Sequence, residues 1–96
     1  MAEELVFDWD LANIAHIARH RVTPEDFEQV FANDPIGLSA EVLNGEQRYV
    51  SVGHTNELRV LVVTWTMRGE AIRPITAFKA ARKLARRYWH RRGSEI

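Results

Sequence analysis

The spacing of apolar residues in the first third of the chain predicts a short strand followed by two short helices. The strand is expected over residues 3–8. The first helix is expected to begin after Asp10, whose carboxylate can accept hydrogen bonds from free backbone N–H groups, and to run to about His20. Thr23 can cap the second helix, and Pro24 suits its first position, where the missing N–H costs nothing. The apolar positions at helical spacing are Leu11, Ile14, Ile17, Ala18, Phe27, Val30 and Phe31.

The remainder of the chain has the pattern of an antiparallel sheet followed by a helix. Asn44-Gly45 is a strong hairpin signal, because both residues readily adopt the turn conformation that joins adjacent strands. Pro74 cannot donate a hydrogen bond to a neighbouring strand, so it predicts an edge strand or a bulge. A basic helix is expected over about residues 78–91. The predicted strands are 38–43, 47–53, 58–66 and 71–77.

These elements predict an α+β fold: an N-terminal strand and two helices, then a four- to five-stranded, mainly antiparallel sheet and a basic C-terminal helix. The length of 96 residues fits one domain over residues 1–96. The absence of cysteine excludes disulfides and thiolate metal sites. No apolar run reaches the roughly 18 residues of a membrane span, and the acidic N-terminus lacks an apolar signal core, so a cytoplasmic location is expected.

Charge is divided unequally along the chain, although the formal net charge is zero. Residues 1–47 carry ten acidic and two basic side chains, whereas residues 48–96 carry eleven basic and three acidic ones. This division favours a basic surface that binds a polyanion such as RNA. The alternative is a solvated basic helix that neutralises the acidic half of the same chain.

Several short motifs occur in a fixed order from residue 5 to residue 90. They are Phe7-Asp8-Trp9-Asp10, Asn13, His20, Val22, Pro24-Glu25-Asp26, Val30-Phe31, Asp34-Pro35, Glu46, Arg48, Gly53, Leu61-Val62-Val63, Arg68-Gly69, Ile72-Arg73-Pro74-Ile75-Thr76-Ala77 and Tyr88. In order and spacing they resemble the BrnT toxin family, whose fold is similar to that of RelE-type ribonucleases. The chain departs from the family pattern at Phe78, where the family usually has arginine, and at Leu84, where it often has an acidic residue.

The resemblance implies a metal-independent endoribonuclease toxin without a cofactor, which cleaves RNA and inhibits translation and growth. It also implies a cognate antitoxin similar to BrnA, with a ribbon-helix-helix domain that binds DNA, and a hetero-oligomer of the two. We expect an antitoxin segment to cover Arg48, Arg73 and the last helix. The departures at Phe78 and Leu84 leave a second hypothesis open: the chain is a degenerate toxin that binds nucleic acid or antitoxin without cleavage. A third is a protein-interaction domain whose basic face binds an acidic partner.

Metal-free RNA cleavage needs a proton acceptor for the attacking 2′-hydroxyl, a proton donor for the leaving oxygen and cations for the phosphorane. The catalytic candidates are His20 for proton transfer, Arg48 and Arg73 for phosphate, and Lys79, which can replace the arginine missing at position 78. The alternatives are a C-terminal helix cap for His20 and structural ion pairs for the arginines. Glu46 could orient Arg48.

The candidates for RNA binding lie in a turn and on the last helix. They are Arg68, Arg82, Arg86 and Tyr88, the last as a base-stacking ring whose alternative role is core packing. The apolar stripe predicted for the last helix consists of Phe78, Ala81, Leu84, Ala85 and Tyr88. Trp89 lies outside this stripe and is a candidate contact for the antitoxin. His16 and His20 have the spacing of a zinc helix, but no third ligand accompanies them, so no metal site is expected.

Overall fold

A single four-stranded antiparallel sheet forms the centre of the fold, and its strand order β1-β2-β3-β4 equals the chain order. The structure is a computed structural model that describes residues 4–93. The α+β class, three helices and an antiparallel sheet of four strands are confirmed. The strands are β1 Ile36–Leu43, β2 Glu46–His54, β3 Val60–Arg68 and β4 Ala71–Lys79, and the helices are α1 Leu11–Ala18, α2 Pro24–Ala32 and α3 Arg82–Arg91.

The expected N-terminal strand is reduced to a single bridge. Phe7 pairs in parallel with Ile72, and the flanking bonds run from the Asp8 N–H to the Ile72 carbonyl and from the Ile72 N–H to the Val6 carbonyl, both at 2.8 Å. Leu5 and Val6 are 49% and 60% exposed, so no buried face extends the pairing. Of the predicted strand over residues 3–8, residue 3 lies outside the described residues.

Local signals account for the helix starts and the tight turns. Asp10 and Thr23 cap α1 and α2, each within a capping box. Asn44 and Gly45 both have positive φ, 54° and 80°, as the turn between β1 and β2 requires. Gly69, at φ 59°, opens the turn between β3 and β4. These predictions are confirmed.

The two faces of the sheet carry separate cores. The face under α1 and α2 packs around Ile17, Val22, Phe27, Val30, Leu61, Val63, Ile72 and Ala77. Gly53 allows α2 to approach this face, because a Cβ there would lie 2.7 Å from the Val30 Cγ1. The opposite face packs against α3 through Val52, Val60, Val62, Ala80 and Tyr88.

Two predicted helix boundaries are wrong, and strand pairing explains the larger of the two errors. The last helix begins at Arg82, four residues later than expected, because Phe78 and Lys79 continue β4 and pair with Val62 and Leu61. Phe78 is therefore 42% exposed instead of buried in a helix stripe. At the other end of the chain, α1 ends at Ala18, and the two residues after its C-cap form a turn in place of the predicted continuation to His20.

The helix α3 leaves part of its sheet face uncovered, and this opening positions the candidate site. Side chains alternate along a strand, so Arg48 lies on the same face as Val50 and Val52, which pack against α3. Thr66 is on this face of β3, and Arg73 lies directly opposite it on β4. The covered end of the face is apolar and the open end is polar.

None of the helices found between residues 4 and 93 has the length and apolar character that a membrane-spanning helix needs.

Candidate active site

Three arginines from three adjacent strands line one open cleft at the uncovered end of the sheet. The cleft has a volume of about 330 Å³. We call it the arginine cleft and define it by Arg48 of β2, Arg68 of β3, Arg73 of β4 and His16 of α1. Glu46, Thr66 and Asn13 also line it. The antiparallel register brings the three arginines together. It places the start of β2, the end of β3 and the start of β4 at the same end of the sheet.

Arg73 lies beside an irregularity in the sheet and is held by the N-terminal segment. The register between β3 and β4 shifts near Pro74. This irregularity is the bulge in an edge strand that the proline predicts. The Arg73 Nη2 donates to Asp10 Oδ2 at 2.6 Å, and its Nη1 donates to the Asp8 carbonyl at 3.2 Å. The side chain is 18% exposed, so much of the guanidinium is fixed while part of it still faces the cleft.

The carboxylate of Asp10 is stabilised in its charged form. The backbone N–H of Asn13 donates to it at 2.8 Å and lowers its pKa most, and the hydrogen bond from Arg73 lowers the pKa further. Both donors favour the ionised carboxylate. Asp10 therefore remains an anion beside Arg73 over the physiological range.

Asn13 is the buried polar residue that joins α1 to β4. It is 6% exposed. Its side-chain oxygen accepts from the Asp10 N–H at 2.8 Å, and its Nδ2 donates to the carbonyls of Asp8 and Pro74, both at 3.3 Å. A buried amide with its donor and acceptor both used is a fixed point in the structure.

The other two arginines of the cleft differ in how they are held. The Arg48 Nε donates to Glu46 Oε1 at 3.1 Å, in a pair that is about one-third exposed. This is the orienting role expected of Glu46. Thr66 supports the same end of β2 through a 2.5 Å bond from its hydroxyl to the Gln47 carbonyl. Arg68 is exposed and forms no ion pair within residues 4–93.

The histidine that lines the cleft is His16, not His20. His16 is half-buried on the side of α1 that carries Asn13, three residues earlier. His20 is exposed beyond the end of α1, and its ring lies 6.1 Å from that of Phe78. Sequence reasoning considered His16 only as a metal ligand. Its helical spacing from Asn13 is the signal that places the two on one side of α1.

Lys79 also lies away from the cleft. It is the last residue of β4 and pairs with Leu61, whereas Arg73 is near the start of the strand. Six strand residues span about 20 Å. Lys79 therefore lies well outside the arginine cleft.

Tyr88 anchors α3 in the core and is not available to stack on a base. It is 2% exposed, and its hydroxyl lies 2.6 Å from His54 Nδ1. Burial raises the pKa of Tyr88. Burial also lowers the pKa of His54, and the positive charge of Arg92 lowers it further. Tyr88 therefore packs in the core, which is the alternative to base stacking that the sequence left open. His54 is the last residue of β2.

The remaining RNA-binding candidates, Arg82 and Arg86, are exposed on α3. Neither forms an ion pair with any other described residue. They belong to a basic surface on the same side of the sheet as the arginine cleft. Trp89 is partly buried against the rings of His54 and Tyr88, at 4.9 and 5.1 Å between centroids.

Residues 4–93 contain no group of three histidine, cysteine, aspartate or glutamate side chains that could hold a metal ion. The chemistry available in the cleft is that of arginine, histidine and carboxylate.

One family of known proteins matches most of the chain. The model of the family described as "Ribonuclease toxin, BrnT, of type II toxin-antitoxin system" matches residues 9–83. That range contains every residue of the arginine cleft. No curated protein matches the sequence.

Proposed function

The chain belongs to the BrnT family of ribonuclease toxins of type II toxin–antitoxin systems, and on that premise we propose that it cleaves RNA at the arginine cleft without a metal ion. The observation that carries the proposal is the convergence of Arg48, Arg68 and Arg73 with His16 in one open cleft. Arginine has the planar, permanently charged fork that pairs with phosphate oxygens. Three such groups suit a substrate with several adjacent phosphates.

Cleavage then proceeds by attack of the 2′-oxygen on the adjacent phosphorus. The new O–P bond forms as the bond to the 5′-oxygen breaks, and the products are a 2′,3′-cyclic phosphate and a 5′-hydroxyl. Glu46 accepts the 2′-hydroxyl proton, and a protonated His16 gives a proton to the leaving oxygen. His16 and Glu46 supply the imidazole and the carboxylate of the cleft, which are the kinds of group that act as general acid and general base. Arg48 and Arg73 stabilise the additional negative charge on the phosphorane.

The basic surface of α3 extends the RNA contact beyond the cleft. Arg82 and Arg86 attract the phosphate backbone without reading its sequence. Cleavage of messenger RNA would stop translation and growth in the cytoplasm.

Membership of the family implies an antitoxin partner. We propose that its toxin-binding segment covers Arg48, Arg73 and α3, and that it carries a ribbon-helix-helix domain. A segment rich in carboxylates would complement the positive charge of this surface.

A pair of histidine variants tests the site. His16→Gln should lower the cleavage rate by about 100-fold, since it removes a proton-transfer group. His20→Gln is the matched control, because it makes the same change on an exposed residue outside the cleft. Rates are measured on purified protein with a defined RNA, with and without chelator. Loss of activity in His20→Gln alone, or abolition by chelator, would contradict the proposal.

Binding without cleavage is the second candidate, and one observation favours it. Arg48 and Arg73 are both already paired with carboxylates of the same chain. These carboxylates offset the positive charge of both arginines, which favours holding RNA or antitoxin over stabilising the charge of a phosphorane. Wild-type protein that binds RNA, stops no growth on induction and leaves RNA intact would support this candidate.

A further inference from the structure

We propose that Asp10 is a positioning residue of the arginine cleft: it fixes the guanidinium of Arg73 on one wall and, through the start of α1, fixes His16 on the other. The inference rests on the proposed ribonuclease function. It adds a residue that does not itself contact the substrate.

The two oxygens of Asp10 have separate roles. Oδ1 accepts the Asn13 backbone N–H at 2.8 Å and so caps α1. Oδ2 accepts from the Arg73 Nη2 at 2.6 Å. One carboxylate therefore connects the first turn of a helix to a side chain 63 residues further along the chain.

A second connection runs parallel to the first. The Asp8 carbonyl accepts from Arg73 Nη1 at 3.2 Å and from Asn13 Nδ2 at 3.3 Å. Asn13 also donates to the Pro74 carbonyl at 3.3 Å. Residues 8–13 thus hold β4 at its bulge from both the backbone and the Arg73 side chain. His16 lies about one turn beyond Asn13, so the same contacts fix its position relative to Arg73.

Such fixation matters because a free arginine side chain samples many rotamers. Ordering one on binding costs free energy that a pre-oriented side chain does not lose. Arg73 uses one donor on each Nη atom, and its remaining Nη and Nε donors are left for phosphate. Asp10 therefore gives Arg73 a defined orientation without using its whole hydrogen-bonding capacity.

Asparagine at position 10 separates the two roles of the carboxylate. Asp10→Asn keeps an oxygen that caps α1, because asparagine is as good a cap as aspartate. Its amide nitrogen cannot accept from Arg73. Asp26→Asn is the matched control: Asp26 belongs to the capping box of α2, accepts the Thr23 N–H at 3.0 Å and lies 3.7 Å from Arg59, outside the cleft.

The expected result is a loss of kcat in Asp10→Asn of about 10- to 100-fold, because small displacements of a catalytic group have effects of this size. KM should change less than about 3-fold, and the far-UV circular dichroism should not change. Asp26→Asn should keep the wild-type kcat. In an Arg73→Lys background, Asp10→Asn should cause no further loss, since the guanidinium fork that Asp10 orients is already absent.

An independent measurement follows the side chain itself. In 15N NMR spectra, the Arg73 Nε–H group should be rigid in the wild type and mobile in Asp10→Asn, with no change in Asp26→Asn. Unchanged Arg73 mobility, or losses of kcat that add fully in the Arg73→Lys background, would overturn the positioning role. A wild-type protein that cleaves no RNA would overturn the proposed function instead, and the NMR result would still decide whether Asp10 fixes Arg73.

Discussion

Two groups of arginines on the same side of the sheet differ in how they are held. In the cleft, Arg73 and Arg48 contact carboxylates at 2.6 and 3.1 Å. On α3, Arg82, Arg86, Arg87 and Arg91 are exposed and form no ion pair with the other residues between 4 and 93. Arg48 and Arg73 have fixed directions, whereas the α3 arginines, like Arg68 in the cleft, are charged without an ion pair that fixes their direction.

The difference separates two kinds of binding to the same polyanion. An oriented donor can match the geometry of the charge that develops during the reaction. An exposed cation attracts phosphate over a longer range, and salt screens that attraction. The comparison therefore predicts that Arg48 and Arg73 control kcat and that the α3 arginines control KM.

The largest effect is expected from Arg73→Lys, which keeps the positive charge and removes the fork. The cleavage rate should fall by about 100-fold, a loss typical of removing one oriented donor. Arg59→Lys is the control, because Arg59 is also held by Asp26 and by the carbonyls of His20 and Arg21, but outside the cleft. Equal rates for the two variants would contradict the role of Arg73 in the reaction.

A smaller effect is expected from Arg82→Gln combined with Arg86→Gln. At physiological salt KM should rise several-fold with kcat unchanged, because two attractive charges are lost. The slope of log affinity against log salt should fall by about 1.4, from about 0.7 per phosphate contact on single strands. RNA binding measured across a salt series checks both values. A change in kcat that persists at low salt would instead assign the α3 arginines to the reaction.

The smallest effect concerns the attachment of α3 and depends on pH. Burial keeps the pKa of His54 below its ordinary value of 6.5, so the folded state favours neutral imidazole. Its contribution to stability is complete above the unfolded-state pKa and decreases as pH falls through that value toward the folded-state one. The melting temperature should therefore fall between pH 7.5 and 5.5 more steeply in the wild type than in His54→Gln. Parallel curves for the two proteins would contradict this.

Local signals account for most of the secondary structure. Asp10 and Thr23 act on the next three residues, and Asn44-Gly45 determines a two-residue turn, so each can be recognised from neighbouring residues. The end of β4 could not be recognised in this way. Phe78 fits either a strand or a helix stripe, and only its pairing with Val62, distant in sequence, decides between them.

The candidate site divides in the same way into features that local sequence shows and features that tertiary contacts decide. Arg48 and Arg73 are candidates from sequence because both lie on predicted strands and arginine pairs with phosphate oxygens. Register then brings them into one cleft. Whether His16 or His20 faces the cleft depends on which side of α1 packs on β4 and on where the helix ends. Both are tertiary properties, and the motif at His20 contains no information about them.

The arrangement of strands in chain order has a consequence for how the protein folds. Neighbouring strands are joined by connections of two to five residues, so most of the sheet forms from contacts close in sequence, which favours rapid folding. The contacts from Asp8 and Asp10 to Arg73 close loops of 65 and 63 residues and have the larger loop-closure entropy. We expect the sheet to assemble first and the N-terminal segment to dock later. The last step of folding would then also be the step that completes the arginine cleft.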